Sequence, residues 1–252
     1  MPRQSPSVPP TATVIFMHGL GDSADGWLPA LRGELAPALP HVRFVCPTAP
    51  QRPVSLNGGH RSTSWHDMTD LESIDSDTPH GLDEAVAAVH ALIDAEVAGG
   101  IPAHRIVVAG FSQGAAMSLR TGFSYARGPL AGIMPLSGYL PGRQIFAKTM
   151  SAHAANLHTR LQAFHGSHDR VVQLAFARAA LRTLRENGAT FGAAVPAGAA
   201  AAASSDATLP IKVYPGMAHQ TCEQEMDDVV AFLRQCLPPI EAVGADVGKS
   251  EL

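Results

Sequence analysis

Cysteine is scarce: Cys46, Cys222 and Cys236 are the only three in 252 residues. Their spacing suits no metal, and an odd number cannot close a disulfide framework. A stapled secreted scaffold and a cysteine zinc site are excluded, and a reducing compartment is expected. Charge is also sparse, at 16% of residues with a net value of −4. That balance gives no electrostatic reason to expect a nucleic-acid partner. No apolar run approaches the ~20 residues of a membrane-spanning helix. Met1 to Pro10 is rich in proline and serine and lacks an apolar signal region. Position 2 is Pro2 rather than the glycine that myristoylation needs, and the stretch has no cysteine to acylate. The ending Lys249-Ser250-Glu251-Leu252 only faintly resembles an ER-retention tail, and without a signal peptide the receptor would never meet it. These absences point to a cytoplasmic protein with no stable membrane anchor.

Hydrophobic residues make up 46% of the chain, ample for a core, and the length suits one domain. That domain is expected over 11–239, with a disordered N-terminus over 1–10 and a flexible tail over 240–252. The chain is organised around Ile106 to Leu119. Ile106-Val107-Val108-Ala109 reads as a buried strand, and Gln113 to Leu119 as the start of a helix. Between them Gly110-Phe111-Ser112-Gln113-Gly114 spells G-x-S-x-G, the nucleophile elbow of α/β-hydrolases. The turn strains the serine backbone and lifts its hydroxyl to the N-terminus of the helix. There the Gln113 N–H points at a developing oxyanion, aided by the helix dipole. An incidental serine in a strand–turn–helix would look the same by the motif alone. The β-branched residues before it and the small helix formers after it favour the elbow.

The remaining chain alternates strands and helices. Thr11 to Met17 reads as a strand running into His18-Gly19-Leu20-Gly21, whose Leu20 N–H is the candidate second oxyanion donor. A helix is expected over Gly26 to Leu39 with Pro29 in its first turn, then a strand over Val42 to Cys46. Residues 51–80 read as a long irregular segment whose apolar residues suggest a substrate cover. Leu82, Val86, Val89, Ile93 and Val97 recur at helical spacing, with Thr78 as a cap and Gly99-Gly100 as the stop. Strands follow at Leu130 to Leu136, Leu161 to His165 and Leu209 to Tyr214, and helices at Gln173 to Asn187 and around Met226 to Leu237. Residues 189–207 are a low-complexity insertion rich in alanine and glycine. The alternation predicts a mostly parallel central sheet with helices on both faces, the α/β-hydrolase fold.

That fold orders its triad Ser, acid, His along the chain. Asp169 follows a late strand and His219 follows the last one, so Ser112, Asp169 and His219 are the candidate nucleophile, acid and base. Asp206 in the low-complexity run and Asp227 inside a helix suit the acid less well. His165-x-x-His168 is weak metal spacing with no third ligand in view, so no metal and no cofactor are expected.

Several of these stretches together resemble the acyl-protein thioesterase and lysophospholipase-like carboxylesterase family. They are His18 to Asp22, Cys46-Pro47-Thr48-Ala49-Pro50, Asp94 to Val97, Gly110 to Gly114, Gly166 to Asp169, Gly216 to His219, and the Cys-x-x-Glu-Met of 222 to 226. The resemblance runs over about 13–239. It implies a cytosolic serine hydrolase without metal or cofactor, acting on S-acylated proteins or on esters such as lysophospholipids. Transient contact with a membrane surface would go with such substrates. The resemblance also implies acyl-chain contacts at Trp65, Met68, Leu71, Tyr139 and Val171, each of which could equally be a packing residue. Three departures stand out: Tyr139 where the family often has Trp, Gln173 where a proline is common, and the 189–207 insertion. A short-chain carboxylesterase, or a silent hydrolase fold that binds lipid or protein, is the alternative reading.

Overall fold

The computed structural model describes residues 3–4, 9–75, 78–150, 155–192 and 208–240. Nine strands and seven α-helices are described, in the order β1 (Arg3–Gln4), β2 (Ala12–Met17), α1 (Ala24–Ala30), α2 (Ala36–Ala38), β3 (Val42–Val45), β4 (Gln51–Pro53), β5 (Arg61–Thr63), α3 (Leu82–Ala98), β6 (Ile106–Phe111), α4 (Gln113–Ser124), β7 (Gly132–Leu136), α5 (Arg143–Thr149), β8 (Ala163–Gly166), α6 (Leu174–Glu186), β9 (Ile211–Tyr214) and α7 (Glu223–Cys236). The main sheet has the order β1-β3-β2-β6-β7-β8-β9. Its six strands from β3 to β9 are parallel.

Successive side chains in a strand point to opposite faces, and here both faces are apolar. Ile15 and Met17 of β2, Val108 of β6 and Ile133 of β7 pack with Leu82, Val89 and Ile93 of α3, Met117 and Phe123 of α4, and Leu181 and Leu184 of α6. Val14 and Phe16, Val107 and Ala109, and Met134 and Leu136 face the other way, onto Leu31, Leu35, Val229, Phe232 and Leu233. Helices on both faces of a parallel sheet make this an α/β-hydrolase fold, as the alternation predicts. The arrangement also brings the C-terminal ends of β6, β7, β8 and β9 to one edge, side by side.

Several local expectations are corrected. Within the expected disordered N-terminus, Arg3 and Gln4 pair antiparallel with Val45 and Phe44. The predicted helix over Gly26 to Leu39 begins at Ala24 and is not regular. Pro29 falls inside it, and Leu31–Leu35 is a π-helical turn. Pro37 follows directly in α2; it cannot donate an N–H and its ring crowds the preceding turn, so the ladder loosens just before it. The segment 51–80 is less irregular than expected, because β4 and β5 pair as a small antiparallel ribbon. Helix α3 is capped by Gly81 rather than Thr78. The 189–207 insertion starts firmly anchored. Ala189 is buried, and Phe191 lies edge-on to Phe123 with the Arg185 guanidinium over its ring. Residues 193–207 and 241–252, which carry the rest of the insertion and nearly all of the expected tail, lie outside the described residues.

Candidate active site

The elbow is as tight as its glycines imply. Ser112 sits at φ 55 and ψ −118, a conformation that L-residues rarely adopt. A Cβ on Gly114 would lie 2.0 Å from the Met17 carbonyl oxygen, and one on Gly110 would lie 2.4 Å from the Gly114 oxygen. Only glycine lets the start of α4 sit on the ends of β2 and β6. The strained residue is held by its own backbone: its N–H donates to Leu136 O at 2.9 Å, and its carbonyl accepts from Ala116 N–H at 3.0 Å.

The chain ends of three strands deliver the three expected polar groups to one place. His219 Nε2 lies 2.8 Å from Ser112 Oγ. His219 Nδ1 lies 2.7 Å from Asp169 Oδ2. The neutral state that satisfies both contacts has Ser112 donating to Nε2 and Nδ1–H donating to the carboxylate. Asp169 Oδ1 accepts from Val171 N–H and Val172 N–H at 3.0 and 2.8 Å. Burial pushes the Asp169 carboxyl up. The His219 hydrogen bond and charge, the Val172 N–H and the nearby His165 outweigh it and hold the acid below its ordinary value. The His219 ring rests on Phe111 at 4.8 Å between centroids, and Phe111 rests in turn on Trp27. The loops carrying Asp169 and His219 are fastened together. A Cβ on Gly166 would lie 2.2 Å from Met217 O, His168 N–H donates to Met217 O, and Gly216 N–H donates to Ser167 Oγ.

The Gly19–Leu20 loop passes directly over the serine: a Cβ on Gly19 would lie 3.4 Å from Ser112 Cβ. Among the described residues, neither Leu20 N–H nor Gln113 N–H donates to another backbone carbonyl. His18 fixes this loop. Its Nδ1–H donates to Gly19 O at 2.7 Å and its Nε2 accepts from Ala49 N–H at 3.0 Å. That tautomer requires a neutral ring. Burial lowers the pKa, against the opposing pull of the Gly19 carbonyl and Asp22.

The five residues expected against an acyl chain do not line one groove. Trp65 is in the main core with 4% of its surface exposed, and its Nε1–H donates to His18 O at 2.9 Å. It supports the loop over the serine. Met68 and Tyr139 are buried in a third, smaller cluster with Val54, Ile74, Ala116 and Val172, against which Leu20 and Leu71 pack. Val171 stands apart, 41% exposed. A separate surface cleft of about 420 Å³ opens beside Asp169, lined by Ser167, His168, Arg170, Gln173, Leu174 and Ala175. None of the five lines it, and its polar rim does not suit a hydrocarbon chain.

Two features went unanticipated. The Gln113 side chain is buried and clamps the cover segment. Its Oε1 accepts from Trp65 N–H at 2.9 Å, and its Nε2 donates to Ser64 Oγ and to His66 O at 3.0 and 2.9 Å. Ser137, at the end of β7 between the serine and the acid, has φ 51, and its buried Oγ has no partner among the described residues. Polar residue types alone signal neither role. For Gln113, its place one residue after the elbow serine was the available clue.

Comparison with known proteins gives this geometry a family. A family model described as phospholipase/carboxylesterase matches residues 3–195. The chain belongs to that family. It is therefore a hydrolase of the esterase type. An acyl-protein thioesterase 1 of Cryptococcus neoformans is 37% identical over 244 residues, covering 92% of this chain and 95% of that one. An acyl-protein thioesterase 1 homolog 1 of Dictyostelium discoideum is 34% identical and covers 90% and 92%. The crystal structure of Zea mays acyl-protein thioesterase 2 superposes with a TM-score of 0.76 at 30% identity, covering 93% of this chain and 97% of that one. Among the described residues of this family member, no helix is long and apolar enough to cross a membrane.

Proposed function

We propose that this hydrolase is an acyl-protein thioesterase that also accepts carboxylic esters such as lysophospholipids, and that it works through an acyl-enzyme on Ser112. The observation that carries the reading is the continuous relay from Ser112 Oγ through His219 to Asp169, at 2.8 and 2.7 Å. His219 Nε2 takes the hydroxyl proton as Oγ attacks the acyl carbon. The carbonyl oxygen becomes an oxyanion facing the N–H groups of Leu20 and Gln113. Collapse of the tetrahedral intermediate breaks the bond to sulfur or oxygen, and the proton on His219 passes to that leaving atom. Water then repeats the sequence on the acyl-enzyme and frees the fatty acid. Asp169 holds the Nδ1–H tautomer and stabilises the imidazolium while it lasts.

The names of the relatives support the thioester substrate class. The cluster of Met68, Leu71 and Tyr139 around Leu20 supports an apolar chain site beside the oxyanion donors. Its closure favours a second reading: with Tyr139 at 1% and Met68 at 7% exposure, a short-chain carboxylesterase would need no rearrangement.

Labelling with a fluorophosphonate probe, together with turnover of palmitoyl-thioester and acetyl-ester substrates, tests both readings. Wild type should label and hydrolyse both substrates, and Ser112→Ala should do neither while melting normally. Turnover by pure Ser112→Ala at the wild-type rate would refute the nucleophile. Wild-type turnover of acetyl esters alone would transfer the reading to the short-chain esterase.

A further inference from the structure

His165 is the next-to-last residue of β8, four positions before Asp169, and none of its surface is exposed. Its Nε2 lies 2.8 Å from Val172 O and 3.5 Å from Asp169 Oδ2. Only a ring with its proton on Nε2 makes the first contact. Nδ1 is buried and has no partner among the described residues. The ring therefore grips the acid turn from the sheet side. It holds the carbonyl at the end of the turn and touches the same oxygen that accepts from His219. The turn's own bonds, from Val171 and Val172 N–H to Oδ1, fix its internal shape. Those bonds do not fix how the whole turn sits on β8.

We propose that His165 is a positioning residue for the acid of the triad: its Nε2–H holds the Asp169–Val172 turn in the orientation that aims Oδ2 at His219. This rests on the triad reading given above. The ring has to be neutral to serve. A second imidazolium on Oδ2 would compete with the one that forms on His219. Burial lowers the His165 pKa, against the Val172 carbonyl and Asp169, which raise it. The charged or titratable groups facing it are Asp169 on its own loop, His219 from the loop after β9, and Arg178 from α6; the last two also disfavour its charged form.

Three substitutions separate positioning from packing. In His165→Gln the amide nitrogen falls near the position of Nε2 and can still donate to Val172 O. In His165→Asn it falls near Nδ1 and cannot reach. His165→Leu removes the donor. For an acetyl ester, Gln should keep kcat within about threefold. Asn and Leu should lose on the order of ten- to a hundredfold in kcat with KM unchanged, the cost of a misaimed catalytic group. Thermal melts accompany each assay, and the Gln–Asn pair carries the test if Leu does not fold.

Equal kcat in the Gln and Asn variants would overturn the inference. So would losses in Asn and Leu that follow the folded fraction. Ser112→Ala, run alongside, keeps the two readings apart: if it is inactive while Asn and Leu turn over like wild type, the His165 assignment alone falls. If Ser112→Ala retains activity, the triad falls first.

Discussion

Replacing Gln113 with alanine should loosen the cover segment without touching the main-chain N–H proposed for the oxyanion. The side chain accepts from Trp65 N–H, donates to His66 O, and meets Ser64 Oγ through both its amide nitrogen and its amide oxygen. Truncation strands the buried Trp65 N–H, at a cost of about 1–3 kcal/mol. The His66 carbonyl suffers less, because Ser64 Oγ already donates to it at 2.6 Å. The space left by the amide adds a further fraction. A loss of about 2–4 kcal/mol follows, which for a chain of this size lowers Tm by roughly 5–15 °C. Gln113→Glu sharpens the test. It keeps the volume and the acceptor for Trp65 but cannot donate to His66 O unless it is protonated. Its loss should be similar at neutral pH and shrink in mild acid. The assay pairs thermal unfolding with kinetics. KM for a long-chain thioester should rise in Gln113→Ala, because Leu71 and Met68 lie just beyond the clamped residues. kcat for an acetyl ester should stay within a few-fold. A variant that melts with wild type and keeps its long-chain KM would show that the clamp contributes nothing. A variant that is stable yet dead on acetyl ester would mean that the side chain belongs to the chemistry.

The remaining predictions concern single sites. Leu71→Asp should lower kcat/KM for long-chain thioesters at least tenfold more than for acetyl esters, since each buried methylene contributes about 0.8 kcal/mol and a charge at the wall forfeits several; equal losses, measured below the micelle concentration, would make Leu71 structural. Glu225 is fully buried in the first turn of α7, where burial first and then Asp228 raise its pKa to about 8, against the Cys222 backbone. A carboxyl raised in the folded state binds its proton more tightly there, so stability should fall as pH rises from about 4.5 to about 8 and then level off. Glu225→Gln should abolish that slope and melt several degrees above wild type at pH 8–9; parallel melting curves across the range would refute it. Replacing residues 193–207 with a short glycine–serine linker should leave turnover and probe labelling within about twofold, since Val195 is the only large aliphatic residue removed and a longer loop costs little extra closure entropy. Loss of labelling in a folded deletion variant would assign the run a part in the His219 loop.

What could be read from the sequence, and what could not, divides along a physical line. The elbow is legible because its constraint is local. A backbone at φ 55 pressed between β2 and α4 needs glycine at 110 and 114, and two glycines at that spacing around a serine are visible in the letters. The meeting of Asp169 and His219 with Ser112 is legible because a parallel sheet collects strand ends on one edge: whatever follows β8 and β9 must arrive near whatever follows β6. Three-residue strands such as β4 and β5 carry no apolar period long enough to read, so that ribbon passes for loop. Arg3–Gln4 joins the sheet by edge pairing, which leaves no trace in side-chain type. The acyl-chain residues expose a deeper limit. A Trp that lines a groove and a Trp that props up the loop beside it are selected by the same property, a large apolar surface removed from water. Trp65 is distinguished only by where its indole N–H goes, to the carbonyl of His18. That destination ties it to the loop carrying Leu20, so its substitution would disturb the proposed oxyanion donor before it disturbed a bound chain. Sequence pattern assigns residues to surfaces; hydrogen-bond partners decide which side of the surface they serve.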